Sequence, residues 1–148
     1  MKQKYEFDER QRLNRGIAFQ YAFISAMVTM LAVYFLGDVM EVDISIFSVF
    51  QICFWIPTTI CFMIMIIKDA YDTVRYNLGR IIFTIWGVAG ASLTISSLIE
   101  IFSKSNIFYE LGIQIYQEGH IIAGLCFLLI AGTYWIKQYI NWRKFKKE

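Results

Sequence analysis

The chain has 148 residues, 57% of them apolar or aromatic and only 18% charged, with a net charge of +2. That is too little polar surface to cover a water-soluble core of this size, so the composition argues against a soluble domain and for a chain solvated largely by lipid. It also argues against nucleic-acid binding, because the basic residues are spread over three short segments instead of forming one patch.

The N-terminal segment contains Phe7-Asp8-Glu9-Arg10-Gln11. Asp8 with Gln11 three residues later reads as a capping box that opens a helix. Asp8 and Glu9 interrupt an otherwise basic segment and are placed to pair with Arg75 or Arg80 of a later loop. The first apolar stretch, 16–36, is long enough to span a bilayer core of roughly 30 Å and too long for a signal-peptide core; Gly37-Asp38-Val39 is not a cleavage site. Ala18, Ala22, Ser25 and Thr29 share one face of it and predict a close helix contact. A short acidic loop, 37–43, turns the chain back into the second stretch, 44–67.

That second stretch holds Gln51, Trp55 and the chain's one proline, Pro57. Pro57 cannot donate to the carbonyl of Cys53, so a kink is expected there, with Thr58 and Thr59 helping to satisfy freed backbone groups. The kink acts as a hinge or cavity, or else as a static bend that improves packing. The indole of Trp55 needs an acceptor, which the opened carbonyl region can supply. In the next loop, 68–80, Asn77-Leu78-Gly79 reads as a helix stop. The third stretch, 81–102, carries a second small-residue stripe (Gly87, Gly90, Ala91, Thr94, Ser97), suited to packing within the chain or to a homodimer, and Glu100 near its far end. The following loop, 103–118, is too apolar around Ile107-Phe108-Tyr109 and Ile113-Gln114-Ile115-Tyr116 to be freely solvated. It is expected to lie in the headgroup layer, with a strand near 111–115 as the alternative. The fourth stretch, 119–140, opens on Glu118 and His120.

Charge sets the threading. With Lys137, near the inner end of the fourth stretch, counted with the C-terminal tail, the five flanking segments carry 5, 0, 3, 1 and 5 basic residues in order. Bases thus alternate sides, which places both termini in the cytoplasm and the chain in the cell membrane. The inner side is net positive and faces anionic lipid headgroups, with Lys144, Lys146 and Lys147 anchoring the tail.

Two groups of residues are candidates for function. Asp8, Glu9, Arg10, Asp72 and Arg75 form a prospective docking surface for a protein partner, with a capped and ion-paired helix start as the purely structural alternative. Gln51, Glu100, Glu118 and His120 form a polar cluster toward the outer side, fit for a cation or proton, although the ionisable members can also reach the headgroups. No catalytic set, phosphate loop, cofactor motif or metal-ligand set is expected, and Cys53, Cys61 and Cys126 read as free thiols inside the spans.

The string Asp8-Glu9-Arg10-Gln11, followed by Arg15-Gly16 and an apolar span, resembles an uncharacterised family of small four-span membrane proteins of Gram-positive bacteria. The resemblance covers about the first 25 residues; elsewhere it is one of hydropathy. Members commonly accompany helix-turn-helix regulators or transporter components, so it implies a regulatory membrane partner and no catalytic residue. The expected fold is all-α: an integral membrane four-helix bundle in one domain, 1–148, with a short acidic first outer loop and a longer interfacial second one. The expected function is non-enzymatic interaction with a cytoplasmic or membrane partner. The alternatives are a small oligomeric transporter or channel built on the polar cluster, and a toxin-immunity protein.

Overall fold

A computed structural model of the chain describes residues 9–41, 45–71, 78–103 and 114–146; the side chains of residues 78, 100–103, 114–119 and 145 lie outside that description. Four helices account for nearly all of it: α1 (Glu9–Tyr34), α2 (Ile46–Ile67), α3 (Leu78–Ser103) and α4 (Gln114–Phe145). No strand occurs among the described residues. Each helix is long and apolar enough to cross a membrane, which fits a multi-pass membrane protein. The shortest, α2, has 22 residues, or about 33 Å, already more than a hydrocarbon core.

The helix ends differ informatively from the expected stretches. Helix α1 begins at Glu9 and continues without a break into the apolar span. It ends in a wide π turn over Phe35–Val39, closed by the amide of Met40 donating to the carbonyl of Phe35 at 3.0 Å. Glu41, with φ of 52°, then reverses the chain in the left-handed region. Ser45 caps α2, its hydroxyl accepting from the amide of Ser48 at 3.1 Å. Helix α3 starts at Leu78, so Leu78 and Gly79 belong to its first turn and are not a stop before it. Helix α4 starts at Gln114, which makes Gln114 and Ile115 helical and rules out a strand there. The rest of the expected interfacial loop, 104–113, lies outside the described residues.

Side by side, the helices run in the order α1, α2, α4, α3, and α1 packs on α2 alone. The bundle is therefore open on one side. Its packing follows the small residues. The α2-facing stripe of α1 includes the buried Asn14, Ala18 and Thr29. The stripe on α3 faces α4: an added Cβ at Gly90 would lie 2.9 Å from the carbonyl oxygen of Gly124 and 3.0 Å from the amide of Leu128. One at Gly87 would lie 3.2 Å from the Cβ of Ala131. Both expected small-residue faces are thus used within the chain, where close backbones gain dispersion contacts that lipid does not displace.

Between α2 and α3 the spacing is set by rings. Phe62 meets Trp86 edge-on with centroids 4.9 Å apart, and Trp86 meets Phe127 of α4 at 5.4 Å. Phe83 stacks on Tyr134 at 4.7 Å. Phe83 and Tyr134 make the buried core with Ile66 and Ile130, toward the end of the molecule where α2 finishes, and the half-buried Phe62, Tyr71 and Trp86 pack against it. The three cysteines are free, with Cys61 and Cys126 buried.

Candidate functional site

The densest polar assembly among the described residues surrounds the C-terminal end of α2. A helix leaves its last four carbonyls without intrahelical partners. Here the chain first closes a two-bond turn of the kind that ends many helices: the amide of Ala70 donates to Met65 at 2.8 Å and that of Asp69 to Ile66 at 3.2 Å. The turn requires a left-handed residue, and Asp69 supplies it with φ of 55°. Glycine is the usual occupant, so an aspartate there accepts a conformational cost that its side chain can offset.

Other helices then add donors to the carbonyls of this turn. From α1, Gln11 Nε2 donates to the carbonyl of Asp69 at 3.2 Å, Asn14 Nδ2 to that of Lys68 at 3.1 Å, and Arg15 Nε to that of Ala70 at 2.7 Å. From α4, Lys137 Nζ donates to the carbonyls of Ile66 at 2.6 Å and Ile67 at 2.9 Å, and forms a salt bridge with Asp69 Oδ1 at 2.5 Å. Five consecutive carbonyls, Ile66 to Ala70, each receive a side-chain donor from a neighbouring helix. Positive groups at a helix C-terminus also complement its dipole. The junction places the N-terminal turns of α1 and the C-terminal turns of α4 at the same end of the molecule.

These residues explain how α1 is held. On Lys137, the carbonyl bonds outweigh the ion pair: the Asp69 side chain is 70% exposed and that of Lys137 18%, and ion pairs with an exposed partner contribute about 0–1 kcal/mol. Asp69→Asn is accordingly expected to lower stability by less than about 1 kcal/mol, measured by thermal unfolding in detergent. A loss several times larger would mean that the carboxylate, not the carbonyls, holds the lysine.

Beyond the junction α4 continues past Lys137 as an exposed ladder of rings and cations. Tyr139 stacks on Trp142 at 6.2 Å, Arg143 lies 5.0 Å over Tyr139, and Lys146 lies 4.7 Å over Trp142. Such pairing suits the boundary between hydrocarbon and headgroups.

No family model matches the chain, and no curated protein or solved structure matches it.

Of the expected docking residues, Glu9 and Arg10 are exposed on the first turn of α1. Asp8, Asp72 and Arg75 lie outside the described residues. Glu9 does not pair with Arg80, since the salt bridge found among the described residues joins Lys137 and Asp69. Gln11 reaches across to α2; the capping box expected between it and Asp8 lies outside the described residues.

The expected polar cluster is only partly in view. Gln51 is committed within its own helix, its Oε1 accepting from the indole of Trp55. That bond corrects the expectation that Trp55 uses the carbonyls opened by Pro57. His120 is exposed near the start of α4; the side chains of Glu100 and Glu118 lie outside the described residues. Helix α2 continues through the buried Pro57. Thr58 and Thr59 donate to the carbonyls of Phe54 and Trp55, each at 2.7 Å, and not to the Cys53 carbonyl that the proline leaves open.

The α2 junction is what the sequence reading passed over. Lys137 carried a usable signal, as the lone Lys or Arg within an apolar stretch, where a buried charge requires partners. Its acceptors are backbone carbonyls, which no residue type announces.

Proposed function

We propose that this is a non-enzymatic integral protein of a bacterial cell membrane that works by docking another protein at its cytoplasmic face. The observation that carries the reading is the state of α1. It packs on α2 alone, is pinned at its N-terminal end by Gln11, Asn14 and Arg15, and presents Glu9 and Arg10 on the turn before those pins. A helix so held offers a rigid platform, and rigid presentation lowers the ordering cost of binding. The acidic pair Asp8-Glu9, set among bases, selects a partner segment rich in Lys or Arg. The alternation of basic segments supports placing this end in the cytoplasm. The resemblance of the N-terminal string to small four-span proteins that accompany regulators agrees with a regulatory partner.

Photocrosslinking in native membranes tests this, with a reactive group introduced at Arg10 and a second at the lipid-facing Met27. Capture of a partner at the first position and not the second is expected. Charge reversal by Asp8→Lys with Glu9→Lys should reduce that capture at least tenfold while membrane levels hold. Reduced levels of folded protein would instead restrict the acidic pair to starting α1.

A further inference from the structure

We infer that the end of α2 is a monovalent-cation site that the chain fills with its own lysine. The ammonium of Lys137 has three N–H donors, and three oxygens surround it: the carbonyls of Ile66 and Ile67 and Oδ1 of Asp69, at 2.6, 2.9 and 2.5 Å. All three oxygens come from four consecutive residues of one segment. The same coordination, oxygen only with carbonyls predominating, is how proteins hold bare alkali cations. One carboxylate and the negative end of a helix dipole balance a single positive charge. A divalent ion would call for more carboxylates than the site has. Potassium is close to ammonium in size, which makes it the best-matched substitute.

The backbone frame of the cradle does not depend on the lysine for its shape. Asp69 is set by the turn that closes α2, through the amide bonds from Asp69 and Ala70. The next three carbonyls, of Lys68, Asp69 and Ala70, are fixed from the opposite side by Asn14, Gln11 and Arg15 of α1. Removing the lysine side chain therefore leaves the carbonyls of Ile66 and Ile67 in place, with the Asp69 carboxylate beside them to close on an ion. The 70% exposed Asp69 side chain gives an ion in water direct access to these oxygens. In the intact chain the tethered ammonium excludes such ions, so the junction of α2 with α4 is insensitive to ionic composition. This inference stands apart from the docking proposal, since it concerns a different set of groups and is read by stability alone.

The test uses the full chain in detergent, with thermal unfolding followed by dye labelling of the buried Cys61 and Cys126. Chloride and ionic strength are fixed, and the cation is potassium, sodium or the bulky N-methylglucamine. Lys137→Ala should melt about 5 °C higher in potassium than in N-methylglucamine, the shift expected of a ligand that binds only the folded state. The unsubstituted chain should melt alike in all three salts. Lys137→Met, whose stem fills the space, and Lys137→Ala with Asp69→Asn, which lacks the charge, should also show no difference between salts. The inference is overturned if Lys137→Ala melts at one temperature in every salt. It is equally overturned if the double variant keeps the potassium response, or if no folded Lys137→Ala is recovered in potassium.

Discussion

Gly124→Val is expected to part α3 from α4 and to be among the most damaging single substitutions in the chain. At this crossing the two backbones touch: a Cβ on Gly124 would lie 3.0 Å from the amide nitrogen of Thr94, 3.1 Å from the carbonyl of Gly90 and 2.5 Å from Thr94 Oγ1. The hydroxyl is itself engaged, donating to Gly90 at 2.8 Å. Backbone atoms cannot yield without moving the helix, so even alanine forces a shift, and valine adds two carbons to the clash. Overpacking of this kind costs about 1–3 kcal/mol, and valine here belongs at or above the top of that range. Gly132 is the matched control on the same helix, with nothing within 4 Å of an added Cβ. Gly132→Ala should be neutral or stabilising by up to about 1 kcal/mol, since alanine is the better helix former. Thermal unfolding followed through the neighbouring buried Cys126 distinguishes the two. Equal melting temperatures for the two variants would mean that the α3–α4 contact is looser than these distances.

The legibility of this chain divides along the same physical line. Four apolar stretches were readable from length and composition, because a bilayer asks for little else. The small-residue faces at Ala18–Thr29 and Gly87–Ser97 were readable too, since in lipid only small size distinguishes an inward face. The order α1, α2, α4, α3 was not. A small-residue face says that a helix packs closely but not on which neighbour, so nothing in the letters of α1 names α2 as its partner. The candidate sites fared differently again. Glu9 and Arg10 are exposed at the start of α1, and Gln51 accepts from the indole of Trp55, one turn away, a pairing its spacing allowed but did not announce. Pro57 was legible as a break in the hydrogen-bond ladder, but the local threonine bonds that accompany it follow each residue's own helix register, not the gap. Gln11 shows the limit most clearly: nothing in its local spacing announces the bond from its side chain to the carbonyl of Asp69, 58 residues along the chain.

Lys137→Met should show that the α2 junction acts as one unit. Methionine keeps most of the apolar stem of lysine and removes only the ammonium, so packing losses are small and the effect isolates the polar contacts. The carbonyl of Ile67 then loses its lysine donor, while that of Ile66 keeps the amide of Asp69 at 3.2 Å. The Ile67 acceptor is exposed and can take a donor from solvent, and the exposed ion pair adds little, so a loss of about 1 kcal/mol is expected. Lys137→Arg should recover only part of it, because a planar fork cannot converge three donors on one point. Asn14→Leu removes the donor to the adjacent carbonyl of Lys68 from the opposite side. The two substitutions lie on helices that do not touch, α1 and α4, and meet only through the last turn of α2. If that turn is held from both sides as one body, freeing either side lets it relax and devalues the other contact. The double variant should then be less destabilised than the sum of the singles by at least about 0.5 kcal/mol. Strict additivity would show instead that α1 and α4 grip α2 independently, and that the N-terminal platform can move without disturbing the core.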